Sequence, residues 1–233
     1  MRLTRLAPLA LALVPSMLSA QSLDRRVDSL MAAYARPGQP GASLLVVRDG
    51  RVLRKKGYGL AEVETRRPVT PETDFRLASL SKQFTATAVM LLVADGHLRY
   101  DDSVSALLPG LPAYAHGVTV RQLLNHTGGL PDYEDFVPDS QTAQVHDADI
   151  PALIARASGP RFATGTRYEY SNTGYVLLAL VVERVSGERF AEFLRRRIFA
   201  PLGMKGTLAF EDGRSVVPHR AYGYTLDSAS VVT

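Results

Sequence analysis

Only one stretch of this chain alternates in the way a strand does, and it is short. Gly41 to Val47 and Arg51 to Gly59 read as two strands joined through Arg48-Asp49-Gly50, whose Asp-Gly signal makes them an antiparallel hairpin. A hairpin alone is marginal in water and must pack against further strands or a helix. From Asp74 onward the apolar residues recur at helical spacing instead. Leu80, Phe84, Ala88 and Leu91 make one stripe, Val120 to Asn125 follows a Thr119 cap, and Ile150 to Ser158, Thr173 to Ser186 and Glu188 to Ile198 are three more helices. Gln21 to Ala35 reads as a short helix ahead of the hairpin. A small sheet and many helices therefore share 233 residues, 46% hydrophobic and 21% charged, enough for one sizeable core or a large and a small lobe. The chain has no cysteine, which excludes a disulfide framework, a thiol nucleophile, a cysteine zinc site and a lipidated N-terminal cysteine.

The first long helix carries reactive side chains. Thr73-Asp74 offers capping residues and Asp95-Gly96 a left-handed stop, which puts Ser79 in the first turn and Lys82 one turn later. Residues three apart share a helical face, so the serine hydroxyl comes within reach of the lysine ammonium. The unpaired amides of that first turn point toward any negative charge forming nearby. A serine hydroxyl becomes a good nucleophile only when a base takes its proton, and lysine can be that base only in surroundings that lower its pKa. Taken alone, the pattern is also what a helix cap followed by a solvated lysine looks like. A second element answers it: Arg167 to Tyr175 is a polar, aromatic loop feeding the apolar run Val176 to Val182. Tyr170 can pass a proton between a serine, a lysine and a leaving group. The Asn172 amide can accept from the lysine while donating to a substrate carbonyl. The plainer readings are a packed loop aromatic for Tyr170 and an N-cap for Asn172, and Asn172 can do both.

Other chemistries have less support. His126 is followed by Thr127-Gly128-Gly129, a good helix stop, so a structural role is expected. His97, His116, His146 and His219 lack metal-like spacing, and no metal is expected. The Gly-x-Ser-x-Gly elbow is absent, and Gly57-Tyr58-Gly59 lacks the third glycine of a dinucleotide fingerprint. Asp101-Asp102 and Arg195-Arg196-Arg197 suit solvated faces. Arg2 and Arg5 precede the apolar run Leu6 to Leu18, too short to span a bilayer, and Ser19-Ala20 offers a cleavage site, with cleavage after Ser22 as the alternative. Residues 1–20 are thus expected to be a signal peptide and the protein periplasmic or secreted, with no stable membrane span after its removal. Taking those two arginines from the 27 basic residues leaves 25 against 23 acidic ones, too even a balance to suggest nucleic acid.

Beyond these two motifs, Phe75-Arg76-Leu77-Ala78, Leu123-Leu124-Asn125-His126-Thr127-Gly128-Gly129-Leu130 and Phe199-Ala200-Pro201-Leu202-Gly203-Met204 follow in order, and the chain resembles the serine β-lactamase and penicillin-binding protein superfamily, in its class C-like branch. The resemblance implies a β-lactamase/transpeptidase-like fold: an α/β part with an antiparallel sheet flanked by helices, over residues 21–75, and a mainly helical domain over 76–233. It implies Ser79 as acylated nucleophile, Lys82 as its proton partner, Tyr170 as general base and acid, and Asn172 as a substrate-orienting residue, with no cofactor. A Ser-Asp-Asn triplet, which a class A relative would carry, is not found. By the same resemblance a third motif, Lys-Thr-Gly or His-x-Gly on a strand, is expected well after Tyr170 and is missing. Arg220-Ala221-Tyr222-Gly223-Tyr224 is similar to text that precedes it, so the C-terminal strands are expected to be missing and the chain truncated, poorly soluble and weak in turnover. Two functions stay open: an exported serine hydrolase forming an acyl-enzyme on β-lactams, D-amino-acid peptides or esters, or a catalytically dead relative that binds peptidoglycan-like ligands.

Overall fold

Asp49 and Gly50 both hold positive φ, 51° and 73°, in a computed structural model that describes residues 24–225. That mirror-image turn matches the twist of the strands it joins, and glycine takes its second position without a steric cost. β1 (Ala42–Arg48) and β2 (Arg51–Tyr58) pair antiparallel from Arg48↔Arg51 to Ala42↔Tyr58, with a bulge at Val46/Val47. The expected leader, residues 1–20, and both cleavage positions lie outside the described residues.

By its contacts the chain divides into two compact units. One contains residues 24–76 together with 216–225, the other is Leu77–Ser215. In the first, residues 24–30 are helical (α1), followed by a 3₁₀ turn at Ala32–Ala35. Asp28 of α1 accepts from Tyr58 Oη at 2.7 Å, Lys56 Nζ at 2.8 Å and Arg54 at 3.2 Å, and Asp24 pairs with Arg54 at 2.7 Å. The Lys56 and Tyr58 hydrogen bonds hold the Asp28 carboxyl at about 2.

The expectation of two strands falls short of the structure. β3 (Leu60–Glu62) and β4 (Arg67–Pro68) make a second antiparallel pair, too short for alternation to register in the sequence. The boundary of the helical part also needs correcting at its far end. Asp74 donates to His219 O and accepts from the Ala221 amide, while Tyr222 donates to Ala61 O, at 3.0, 2.8 and 2.9 Å. These backbone bonds tie 219–222 to the strand-bearing unit rather than to the helices.

The second unit is helical. Its elements are α2 (Lys82–Ala94), α3 (Val104–Leu107), α4 (Val120–Leu124), α5 (Ile150–Ile154), α6 (Asn172–Ser186) and α7 (Phe190–Leu194), the last running into a π turn at Arg195–Phe199. The helices expected over 150–158 and 188–198 are shorter as regular α-helix: α5 gives way to turns and bends after Ile154, and α7 begins at Phe190 and passes into the π turn at Arg195. α6 buries Leu177, Leu178, Val181 and Val182, and α2 buries Thr85, Ala88, Val89 and Leu92. Each such aliphatic side chain contributes about 1.5–3 kcal/mol on burial. The α2 stripe is rotated from the expected one: Ala88 is buried, but Leu80 is exposed and lies ahead of the α-helix. Thr73 and Asp74 cap nothing there. α2 ends as expected, with Gly96 N–H on Val93 O and His97 N–H on Leu92 O, the paired bonds of a Schellman stop. No helix among the described residues is long and apolar enough to cross a membrane.

Candidate active site

Ala78 sits at φ 46°, in the left-handed region, and breaks the chain ahead of Ser79. A single 3₁₀ turn, Ala78–Ser81, then leads into α2, so Ser79 lies in that turn and Lys82 opens the α-helix. Ordinary residues avoid such a φ at a cost of about 1–2 kcal/mol. Here it lifts an exposed Ser79 out ahead of the helix. Its amide belongs to the turn whose N–H groups have no preceding helical carbonyl.

All four side chains singled out in the sequence come together. Ser79 Oγ is 2.6 Å from Tyr170 Oη, and Lys82 Nζ donates to Ser79 Oγ at 3.4 Å and to Asn172 Oδ1 at 2.7 Å. The ammonium also lies 4.7 Å from the Tyr170 ring centroid and 5.6 Å from that of Tyr175. Two neighbouring phenols are driven apart by these surroundings. Tyr170 falls below the ordinary tyrosine value, through the Lys82 ammonium first and the Ser79 hydroxyl second. Tyr175, whose Oη donates to the Leu124 carbonyl at 3.1 Å, rises through burial first and then through the neighbouring Tyr170 and Tyr168. Of these two phenols, Tyr170 is the one beside which the Lys82 ammonium eases loss of the proton.

Asn172 does not cap α6. Ser171 does, its Oγ accepting from the Gly174 amide at 3.1 Å, which leaves Asn172 as the first helical residue with its side chain available to Lys82. The Asn172 N–H, an orphan donor of the helix start, is taken by Asp132 Oδ2 at 2.8 Å.

A family model described as Beta-lactamase matches residues 23–233. The chain belongs to the β-lactamase family. It is 37% identical over 212 residues to penicillin-binding protein 4* of Bacillus subtilis, covering 89% of this chain and 47% of that relative. Among solved structures it is similar to D-amino acid amidase from Ochrobactrum anthropi SV3, with a TM-score of 0.77 and 33% identity over 90% of this chain and 59% of that one. It also resembles EstCE1, a hydrolase with promiscuous acyltransferase activity, with a TM-score of 0.75 and 27% identity over 93% and 60%. These neighbours carry the β-lactamase/transpeptidase-like fold, and the superfamily is that of the serine β-lactamases and penicillin-binding proteins. The chain spans about half the length of the curated relatives it matches.

In this family member two supports of the site were not read from sequence. Glu134 accepts from Asn172 Nδ2 at 3.0 Å, which fixes the amide with its oxygen toward Lys82. The only sequence sign was an acidic turn through Asp132, Glu134 and Asp135. The other support is the stretch 126–129, whose backbone carries the tyrosine loop: Glu169 N–H donates to His126 O, Gly165 N–H to Thr127 O and Arg161 N–H to Gly129 O, at 2.9, 2.8 and 2.8 Å. Gly129 holds φ 72°, and a Cβ there would stand 2.3 Å from the Phe162 carbonyl oxygen, so only glycine allows the approach. Arg161 then bonds Asp135 and Glu169, and Arg167 bonds Glu169. The helix stop expected at Thr127-Gly128-Gly129 falls earlier, at His126 itself, whose φ is 58°.

Proposed function

We propose that this chain carries the acylation machinery of a class C-like serine hydrolase. The observation that carries the reading is the 2.6 Å contact between Ser79 Oγ and a Tyr170 phenol held below its ordinary pKa by Lys82. Tyr170 takes the serine proton as Oγ bonds to the substrate carbonyl carbon. The phenol then returns that proton to the departing amine or alcohol as the carbonyl–heteroatom bond breaks, leaving an acyl-serine ester. Water enters by the reverse path, its proton going to Tyr170 and the Ser79 oxygen leaving with a proton. Lys82 keeps the phenolate accessible and is tied to Asn172, whose remaining amide hydrogen orients the substrate carbonyl. The Ser79 amide supplies one donor to the oxyanion.

Acyl donors of the amide and ester class fit this reading, because a penicillin-binding protein, a D-amino acid amidase and a hydrolase with promiscuous acyltransferase activity are among the similar proteins. β-Lactams, D-amino-acid amides or peptides and small esters are the substrates to try. Export to the periplasm or medium is part of the proposal and rests on Arg2, Arg5 and the apolar run Leu6 to Leu18. The test is labelling with a fluorescent penicillin, applied to this chain and to any longer product of the same locus, followed by peptide mapping. An adduct on Ser79 that vanishes in Ser79→Ala is expected. An adduct on Ser81, or one undiminished in Ser79→Ala, would overturn the assignment, and saturable binding without any adduct would favour a non-catalytic ligand binder.

A further inference from the structure

His126 occupies a place that chain geometry offers to glycine. It follows α4 as the left-handed residue of a Schellman stop, with His126 N–H on Leu123 O and Thr127 N–H on Gln122 O, at 3.2 and 2.8 Å. An imidazole held at φ 58° calls for a reason beyond ending a helix, and its contacts supply one. Its Nδ1 accepts the Ser171 amide hydrogen at 3.1 Å, and its carbonyl accepts that of Glu169 at 2.9 Å, so one residue grips the backbone on both sides of Tyr170. Its ring stacks on the Tyr170 ring, with centroids 4.7 Å apart and planes 28° from parallel.

We propose that His126 is the positioning residue of the Tyr170 base, fixing the phenol on Ser79 through the Ser171 amide bond and the ring stack. The inference rests on the reading of Tyr170 as base, but it concerns a residue that touches neither substrate nor reacting atoms. The hold exists only while Nδ1 is unprotonated, since a protonated Nδ1 repels an N–H donor. Burial first, and the Lys82 ammonium second, push the imidazole below its ordinary value and keep it neutral. Facing it are Lys82 from α2, Tyr168 and Tyr170 from the loop and Tyr175 from α6. The Glu169 carboxylate in that loop is occupied by Arg161 and Arg167. Above the ordinary histidine pKa the hold is complete, and it is lost as pH falls through the lowered value.

Two variants separate this role from a helix stop. His126→Asn tolerates the left-handed backbone and places an amide oxygen where Nδ1 stood, but does not titrate. His126→Phe keeps a ring and loses the acceptor. The readouts on the full chain are the rate of Ser79 labelling against pH and the titration of the Tyr170 phenol, followed by carbon-13 tyrosine resonances assigned with Tyr170→Phe. His126→Asn is expected to label within about threefold of the parent at pH 8 and to lose the acid limb below the histidine range. His126→Phe should label at least about tenfold more slowly, with its Tyr170 titration shifted toward the ordinary phenol value, a fraction of the roughly 10²–10⁴-fold typical of an acid–base group. An acid limb unchanged in His126→Asn, or parental labelling in His126→Phe, would overturn the proposal. Should the parent itself form no adduct, the acyl-enzyme reading falls, and the phenol titration still decides: identical Tyr170 curves in parent and His126→Phe would sink the role of His126.

Discussion

The helical unit and the strand-bearing unit are held together by different forces. In Leu77–Ser215, α6 brings Leu177, Leu178, Val181 and Val182 to zero exposure, and α2 contributes Val89 and Leu92 to the same core. In residues 24–76 with 216–225, the second buried cluster is only Ala61, Val69 and Ala221, while Leu45, Val47, Val52 and Leu53 of the hairpin are exposed. What fastens α1 to β2 there is a set of ion pairs around Asp24, Asp28, Arg54 and Lys56. A surface ion pair contributes about 0–1 kcal/mol, less than burying one leucine. The candidate active site draws Ser79, Lys82, Tyr170 and Asn172 entirely from the better-packed unit. Two hydroxyls held 2.6 Å apart need side chains whose backbones do not wander, and a filled core supplies that.

Substitutions can break this contrast, and they rank by size. Tyr170→Phe should slow Ser79 acylation by roughly 10²–10⁴-fold, the usual contribution of a general acid–base group, while leaving the urea midpoint of unfolding unchanged. Equal losses on His126→Ala would revive a histidine mechanism. Leu177→Ala, in the helical core, should cost about 2–5 kcal/mol in denaturant unfolding and take Ser79 labelling down with the fold. Labelling that survives at denaturant concentrations where helical circular dichroism is gone would show that the site does not depend on that core.

Smaller effects belong to the other unit. The Lys56 and Tyr58 hydrogen bonds hold the Asp28 carboxyl down at about 2, below its ordinary 3.8, so its contribution is present above 3.8 and lost as pH falls through about 2. Asp28→Asn should flatten that acid dependence, read as hydrogen exchange in β2, with Ser79 labelling at neutral pH untouched. A fall in labelling would mean that the two units are energetically coupled. Smallest of all, Glu134→Ala should lower kcat/KM only several-fold, since Lys82 still holds the Asn172 oxygen. A loss as large as that of Tyr170→Phe would promote Glu134 from support to participant.

Much of this was legible because it is local. The three-residue spacing of Ser79 and Lys82 survives the replacement of a first α-turn by a 3₁₀ turn, since both bring them to one side. The Thr119 cap reads directly, with Gln122 completing its box, and so does the strand turn at Asp49-Gly50. What was not legible depends on partners distant in sequence. Ser171 wins the α6 cap from Asn172 because Asn172 is claimed by Lys82, ninety residues earlier, and by Glu134. His126 reads as part of a helix stop, and its grip on Ser171 is invisible until the loop returns 45 residues later. The same holds for 219–222, whose pairing with Asp74 and Ala61 no alternation of its own announces.

That last pairing fixes an order of assembly. A ribosome releases Ala61 and Asp74 early, but His219, Ala221 and Tyr222 emerge only after the whole of Leu77–Ser215 has been made. During synthesis the helical unit therefore has its full set of contacts before the older strand-bearing segment has its own. The earlier segment waits with the Asp74 and Ala61 backbone groups unpaired, and that interval is when a holding chaperone has most to protect.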